Sequence, residues 1–204
     1  MRRLIIPAIA MVVVITVSNL AVQHPFTPWG LGDILTWGSF TYPFAFLVND
    51  LTNRTHGPRV ARQAILVGFA AGVICSALLG PVRIAVASGS AFLLGQILDV
   101  LVFSRLRRMA WWRAPLAASI LGSALDTVIF FSLAFAAVFV FLGPNLDFAL
   151  QPTSLLGSAI LAPRWMSWAG GDFGVKVFCA LCLLVPYRAL VRRLPAYQQA
   201  PTAA

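Results

Sequence analysis

Glutamate is absent from this chain of 204 residues, and charged residues of all kinds make up only 10% of it. Soluble domains carry about 25% charged and about 45–50% apolar residues, whereas hydrophobic residues reach 60% here and the mean hydropathy is +0.87. The apolar residues form runs of roughly 18–28, long enough to cross a hydrocarbon core of about 30 Å. The sequence therefore predicts an integral membrane protein.

Cysteine is also scarce, and its placement argues against a metal centre. Cys179 and Cys182 form a C-x-x-C motif inside an apolar run, and Cys75 stands alone. Metal sites built on this motif normally have a second pair of ligands, which the sequence lacks. We interpret all three as small buried packing residues and predict no metal and no cofactor. No phosphate-binding glycine-rich loop is present either, so we expect neither an enzyme nor an ATP-binding domain.

Positive charge is in excess, with a formal net charge of +9, but its distribution follows membrane topology. A nucleic-acid-binding surface would need a soluble basic face, which is missing. Six apolar stretches are predicted to span the membrane, covering residues 4–22, 37–53, 62–79, 84–106, 116–142 and 168–191. Twelve arginines lie on the side of the two chain ends, whereas only Arg83 and Arg164 lie in the opposite connections. The positive-inside rule then places both termini in the cytoplasm.

The predicted fold is thus an all-α bundle of six transmembrane helices over residues 1–194, with a disordered cytoplasmic tail over 195–204. Pro43 should kink the second span, because proline cannot donate a backbone hydrogen bond. The proline-containing connection over 143–164 is expected to form a cap or a short surface helix.

Two aspartates occur in copies of one phrase, Gly-x-x-Leu-Asp-x-x-apolar-Phe. The phrase begins at Gly95 and places Asp99 in the fourth span, and it begins again at Gly122 and places Asp126 in the fifth. A carboxylate deep in a bilayer costs about 2.5–3.5 kcal/mol on insertion scales and usually faces a cavity or a partner. At about 1.5 Å per residue, Asp99 and Asp126 lie about 12 and 20 Å from the cytoplasmic ends of their helices, so they could face one site near the midplane.

The same helix faces carry further polar and aromatic side chains. Spacings of three and four place Ser88, Phe92, Gln96 and Phe103 on the stripe of Asp99. The stripe of Asp126 has the corresponding set Ser119, Ser123 and Phe130. Small and hydroxyl residues also hold helices together without binding anything, and Gly95 and Gly122 allow close helix approach. With an aspartate on each stripe, we predict a ligand or proton site.

The sixth span adds Asp172 and Lys176, an i, i+4 pair that can neutralise itself or relay a proton. Whether Lys176 serves only as counter-ion or also contacts substrate is left open. Asp50 lies about 6 Å along its helix from Arg54, within snorkelling reach of the cytoplasmic surface.

Several segments resemble the YhhQ family, also called the vitamin uptake transporter family, whose members are queuosine precursor transporters of bacterial inner membranes. The likeness extends from Ser18-Asn19 to the Asp172/Lys176 span. It is carried by the segments 41–51, Gly57, Ala61-Arg62, 95–100 and Asp126-Thr127. One departure is that this chain has Arg54, Thr55 and His56 where many relatives have an acid and an aromatic residue before the glycine.

The resemblance implies a multi-pass inner-membrane importer of deazaguanine bases for tRNA modification. A guanine-like edge offers two neighbouring N–H donors that one carboxylate can accept, aromatic rings can stack on the base, and a second carboxylate would offset the charge of an aminomethyl-bearing precursor. The predicted substrate-binding residues are Asp99, Asp126, Gln96, Asn19, Phe92, Phe103, Phe130, Asp50 and Lys176. Energy coupling and the preferred precursor stay open.

Other readings of the paired aspartates are an intramembrane aspartyl protease, whose two carboxylates share a proton, and an ion channel or scaffold. Both aspartates follow leucine, unlike the sequence motifs around the aspartates of such proteases. A channel would need an open polar pore, and the two stripes are too rich in Phe and Leu to line one. Expected partners are the small-molecule substrate and the lipid bilayer, without nucleic acid. The glycine-bearing faces are compatible with a homodimer.

Overall fold

The structure is a computed structural model that describes residues 2–194 and 196–197. Five of its helices are long and apolar enough to cross a membrane, so the protein is an all-α multi-pass membrane protein in its main architecture. The tail predicted over 195–204 lies outside the described residues, apart from residues 196 and 197. The α-helices within the described residues are α1 (Arg2–Ala21), α2 (Gly38–Thr41), α3 (Pro43–His56), α4 (Pro58–Leu79), α5 (Val82–Leu106), α6 (Arg113–Phe135), α7 (Asp147–Leu150) and α8 (Arg164–Val191).

The second predicted span consists of two pieces, α2 and α3, separated at Tyr42. Pro43 is the first residue of α3 and has no N–H to donate to the preceding turn, so the helix is interrupted where the kink was expected. The 14 residues of α3 extend about 21 Å, less than the membrane core, whereas residues 38–56 together reach about 28 Å. The other five predicted spans are therefore helices of spanning length. The second predicted span stays a prediction, because it requires α2 and α3 to cross the membrane together.

The fifth predicted span was too long at its end. The structure ends α6 at Phe135, followed by extended Ala136 (ψ 135°) and a 3-10 helix over Ala137–Leu142. The buried Arg83 stabilises this break, because its guanidinium donates to Leu133 O at 2.9 Å and to Ala136 O at 2.7 Å. Leu133 lies in the last turn of α6 and Ala136 directly follows the helix. Carbonyls at a helix C-terminus have no partner within the helix and interact favourably with a cation.

The connection after that break contains more structure than the predicted cap or surface helix. It comprises α7 and a two-stranded antiparallel sheet of β1 (Pro152–Ser154) and β2 (Leu161–Pro163), with Thr153 opposite Ala162. The backbone N–H of Leu156 donates to Ser167 Oγ at 3.2 Å, which ties the hairpin to the first turns of α8. The connection thereby covers the start of α8.

Helices α5 and α6 pack closely through the glycines of the repeated phrase. A Cβ atom on Gly95 would lie 3.0 Å from Asp126 Cβ, and one on Gly122 would lie 3.3 Å from Asp99 Cβ. Each glycine thus faces the aspartate of the other copy. Two antiparallel helices that are related by a local twofold axis make reciprocal contacts of this kind. The sequence predicted close approach at these glycines, and the structure has it.

We name the two ends of the helix bundle for what they carry. The loop end holds the connections 22–37, 80–81 and 136–163, and the terminal end holds the start of α1, the end of α8 and the connections at 57 and 107–112. The cysteines correct one interpretation: Cys182 is exposed on α8, and Cys75 and Cys179 are partly exposed. The three cysteines are therefore more exposed than the buried packing residues that we predicted from the sequence.

Candidate functional site

A cavity of about 480 Å³ opens at the loop end and reaches into the middle of the bundle. Its rim includes the exposed residues Gln23, Asp33 and Pro81, and its buried floor includes Asp126 and Lys176. The volume lies in the range of about 300–1,000 Å³ that is usual for small-molecule sites. A path therefore leads from one face of the protein to carboxylates at mid-bundle.

A lysine bridges two carboxylates at the floor of the cavity. Lys176 Nζ lies 2.7 Å from Asp126 Oδ2 on α6 and 2.5 Å from Asp172 Oδ2 one turn earlier on α8. All three side chains are nearly inaccessible, with residue exposures of 5, 4 and 8%. The predicted i, i+4 pair is present, and Lys176 additionally joins the aspartate of the repeated phrase.

Two further residues complete this cluster and were not among the predicted site residues. Tyr42, at the interruption between α2 and α3, donates its hydroxyl to Asp126 Oδ1 at 3.0 Å, and its ring centroid lies 5.2 Å from Lys176 Nζ. Thr127 Oγ1 accepts from Lys176 at 3.3 Å and donates to Asp172 Oδ2 at 3.2 Å. The sequence could have identified both as site residues from the Tyr-Pro and Asp-Thr dipeptides, because each dipeptide belongs to a segment that carries the family resemblance.

The walls of the cavity supply an amide and aromatic rings. Asn19 on α1 accepts a hydrogen bond from Ser76 Oγ at 2.7 Å and donates to Ile15 O at 3.0 Å. Phe130, one turn after Asp126, lines the cavity together with Phe131 and Phe135. Asn19 and Phe130 were both predicted as substrate contacts, and the structure places both on the same cavity as Asp126 and Lys176.

The cavity carries negative charge although the chain as a whole is strongly basic. Its described lining residues include three aspartates, Asp33, Asp126 and Asp172, against the single Lys176, a formal excess of two negative charges. A cleft of one sign with low-dielectric walls concentrates solutes of the opposite sign. The cavity therefore suits a ligand that is cationic or rich in hydrogen-bond donors.

A second polar cluster lies away from the cavity, between α3 and α5. Asn49 Nδ2 donates to Asp99 Oδ2 at 2.6 Å and to Gln96 O at 3.2 Å. The exposures of Asn49, Gln96 and Asp99 are 1, 0 and 0%, so this cluster is closed. The structure thus separates Asp99 and Gln96 from the cavity that contains Asp126.

Asp50 belongs with this closed cluster rather than with the membrane surface. Its exposure is only 2%, and Ser119 Oγ on α6 donates to its Oδ2 at 3.4 Å. The snorkelling that its spacing from Arg54 suggested is therefore wrong, because the side chain points into the bundle towards α6. Arg54 instead donates to Arg107 O at 3.2 Å.

The local twofold relation between α5 and α6 explains why the two repeated aspartates lie in different surroundings. Equivalent residues of antiparallel helices related in this way lie on opposite sides of the crossing, displaced towards opposite ends of the bundle. Asp126 accordingly lies beneath the loop-end cavity, and Asp99 lies in the closed cluster on the other side of the Gly95–Gly122 contact. The remaining predicted aromatics pack in the core: Phe92 belongs to a buried cluster with Met11 and Ile15, and Phe103 lies against Tyr187.

The terminal end is closed by packing and hydrogen bonds. Phe103 and Tyr187 pack with their ring centroids 6.5 Å apart, and Arg107 donates to Asn53 O at 2.8 Å. Partial burial, with added repulsion from Arg54, lowers the pKa of the Arg107 guanidinium. Tyr197 donates its backbone N–H to Arg54 O at 2.9 Å, and its ring lies against Arg107. The cavity consequently has access from the loop end, while the opposite end is sealed by these contacts.

Comparison with known families identifies the kind of protein to which this site belongs. The sequence model described as a putative vitamin uptake transporter matches residues 36–80 and 76–191. The chain belongs to this family. The vitamin uptake transporter match includes α3 to α6 and all of α8, and thus Tyr42, both repeated aspartates and Lys176.

Three curated proteins resemble the chain along much of its length. It is 34% identical to the queuosine precursor transporter of Escherichia coli K12 and 32% identical to the probable queuosine precursor transporter of Haemophilus influenzae. Each comparison covers 85% of this chain and 79% of the relative. A probable queuosine precursor transporter of Bacillus subtilis is 26% identical over 60% of the chain and 65% of the relative. No solved structure matches.

As a member of this family, the protein is a transporter and not an enzyme, in agreement with the expectation from its sequence. The protease alternative is not favoured, because its two carboxylates would have to lie together and share a proton. Asp126 is instead engaged by Lys176 and Tyr42, whereas Asp99 lies in the separate closed cluster. In the described part of the chain, no group of three or more His, Cys, Asp or Glu side chains is arranged to hold a metal ion.

Proposed function

We propose that this protein imports queuosine precursors across the bacterial inner membrane and binds them as deazaguanine bases in the loop-end cavity. The relatives in Escherichia coli and Haemophilus influenzae carry the names of queuosine precursor transporters. In this proposal the loop end faces outward and the arginine-rich terminal end faces the cytoplasm, as the positive-inside rule predicts. The cavity is then the entrance for the base.

The observation that carries the binding proposal is the position of Asp126 on the floor of a negatively charged cavity. The Asp126 carboxylate has acceptor capacity left, since an ionised carboxylate offers about four lone-pair sites and Tyr42 and Lys176 use one each. A guanine-like edge presents two adjacent N–H donors, which match one carboxylate. Phe130 offers an aromatic ring near the same carboxylate, and Asn19 offers an amide.

Of the nine predicted substrate residues, we propose that Asn19, Asp126, Phe130 and Lys176 contact the base, since these line the cavity. Binding therefore takes place beside α6, among α1, α6 and α8, rather than between α5 and α6 themselves, whose close contact leaves no room for a ring. The excess of negative charge favours a precursor with a cationic aminomethyl group over a neutral one.

The test is the affinity of purified Asp126→Asn for a deazaguanine base in detergent solution. A hydrogen bond to a charged group contributes about 1.5–3 kcal/mol, so the dissociation constant should rise by about ten- to a hundredfold. Lys176 retains Asp172 as its partner in this variant, so no buried lysine is left unpaired. We expect the aminomethyl-bearing base to lose more affinity than a neutral one.

Asp147→Asn is the matched control, since Asp147 undergoes the same change at an exposed position of α7 outside the cavity. Its affinity should equal that of the wild type. Unchanged binding by Asp126→Asn would refute the proposed binding mode. Failure of the wild type to bind or exchange any deazaguanine base would refute the proposed function.

A further inference from the structure

The closed cluster between α3, α5 and α6 contains acceptor atoms whose bonding is incomplete. One oxygen on each of Asn49, Asp50, Gln96 and Asp99 has no hydrogen-bond partner among the residues that the structure describes. All four side chains are at most 2% exposed. A buried acceptor left without a partner typically costs about 1–3 kcal/mol, so four in one place indicate that something else satisfies them.

Two of these groups are carboxyls without a basic partner in the described part of the chain. The ion pairs formed by aspartates there join Lys176 to Asp126 and Asp172, and neither Asp50 nor Asp99 takes part. Lys176 and Tyr187 of α8 share a small space with Asp50, but the lysine amine is already held between the other two aspartates. Arg54 and Arg107 lie towards the terminal end and donate to backbone carbonyls. Buried charges without partners are costly, particularly within a membrane.

The amides show that the cluster is more than two neighbouring acids. Asn49 joins α3 to α5 by donating to both Asp99 and the Gln96 carbonyl, which leaves its own amide oxygen free to accept. Gln96 is fully buried one turn before Asp99, and its side-chain amide is unpaired in the described structure. Carboxylate and amide oxygens are the ligands that hard cations prefer, and a proton on a carboxyl would convert an acceptor into the donor that the amide oxygens lack.

We propose that Asn49, Asp50, Gln96 and Asp99 form a binding site for a monovalent cation, a proton or a sodium ion, whose gradient drives uptake. This inference rests on the proposed transport function and assigns its coupling site. The cation site and the base-binding cavity lie on opposite sides of the Gly95–Gly122 contact. Coupling then requires that the helices holding the cation, α3 and α5, change their packing when the cavity is occupied.

The decisive measurement is accumulation of a labelled deazaguanine base by wild-type protein in liposomes, with the membrane potential held at zero. One set of vesicles has a tenfold inward sodium gradient at equal pH, and another has a tenfold inward proton gradient without sodium. For one cation per base, either gradient can drive up to about tenfold accumulation. Accumulation in one set supports the proposal and identifies the cation. If wild-type vesicles exchange internal for external base but accumulate it in neither set, the coupling proposal is wrong and the transport function stands.

The location of the site is tested with Asp50→Asn, Asp99→Asn and Gln96→Leu, each compared with Asp147→Asn. We expect the first three to retain base binding and exchange but to equalise the base concentration across the membrane instead of accumulating it. Retained exchange also demonstrates that a variant is folded. Wild-type accumulation by all three variants would overturn the assignment. So would loss of base binding in folded Asp99→Asn, because Asp99 would then hold the base.

Discussion

Tyr42 shows how one side chain can connect a helix interruption to the charged floor of the cavity. Its hydroxyl holds one oxygen of Asp126, and its ring lies beside the lysine that holds the other. The side chain occupies this place because α3 starts anew at Pro43, immediately after it. A hydrogen bond from a fixed tyrosine restricts the rotamers of the carboxylate, which prepares it to accept two parallel N–H donors.

Replacement of Tyr42 by Phe removes that hydroxyl and keeps the ring. We expect the dissociation constant for a deazaguanine base to rise by about three- to tenfold, because a typical hydrogen bond contributes about 0.5–1.5 kcal/mol. The comparison is Tyr197→Phe, the same change at the terminal end. Titration calorimetry in detergent provides both values, and equal or tighter binding by Tyr42→Phe would mean that Asp126 needs no such orientation.

At the scale of elements, the contact between α5 and α6 is the feature that determines where the polar groups lie. Gly122 has no side chain where a Cβ would come within 2.7 Å of Phe46 Cε1 and 2.9 Å of Gly95 O. Both neighbours are fixed, one by the core and the other as helix backbone. Small residues permit this approach in membranes, where association depends on packing more than on the hydrophobic effect.

We predict that Gly122→Ala lowers the stability of the protein by about 1–3 kcal/mol, since an added methyl group must push two helices apart. The decrease should appear as a lower melting temperature in detergent. Gly174→Ala on α8 is the control, because a Cβ there meets no atom within 4 Å. That variant should melt at the wild-type temperature or above it, since alanine favours helix by about 1 kcal/mol. Equal melting of the two variants would contradict the importance of the crossing.

The sequence predicted these elements better than it predicted their relative placement. Hydropathy and the repeated phrase located α5 and α6 and the close approach at Gly95 and Gly122, because apolar length and small residues are local properties. The end of α6 was missed because Arg83, fifty residues away, binds its last carbonyls. The separation of Asp99 from Asp126 was also missed because it depends on tertiary packing. Residue spacing predicts how deep a residue lies along its helix, but not on which side of the α5–α6 crossing it lies.

At the scale of the whole molecule, the bundle is open at one end and closed at the other. The loop end opens into the cavity whose floor carries the carboxylates of α6 and α8, while Phe103 and Tyr187 and the contacts of Arg54 and Arg107 close the terminal end. A transporter must also open in the other direction, so this is one of the states that a transport cycle requires. In the proposed orientation, which places the termini in the cytoplasm, it is the outward-open state.

Orientation and access can be tested together by thiol labelling. After Cys75, Cys179 and Cys182 are replaced by serine, we introduce His24→Cys at the loop end or Met109→Cys at the terminal end, both at exposed positions. In right-side-out membrane vesicles, a membrane-impermeant maleimide should label the first variant directly and the second only after permeabilisation. The opposite pattern would place the termini outside and make the loop-end cavity face the cytoplasm.

Ser88→Cys extends this test to the cavity, which Ser88 lines on α5. We expect the impermeant reagent to reach this thiol more slowly than the thiol of His24→Cys, because it lies below the rim. A saturating deazaguanine base should slow its labelling further, since the bound base occupies the same cavity that Ser88 lines. The labelling rate of His24→Cys should be unaffected by the base, which excludes a direct reaction between base and reagent. If the base leaves the labelling of Ser88→Cys unchanged, the base binds elsewhere, and the cavity cannot be its entrance.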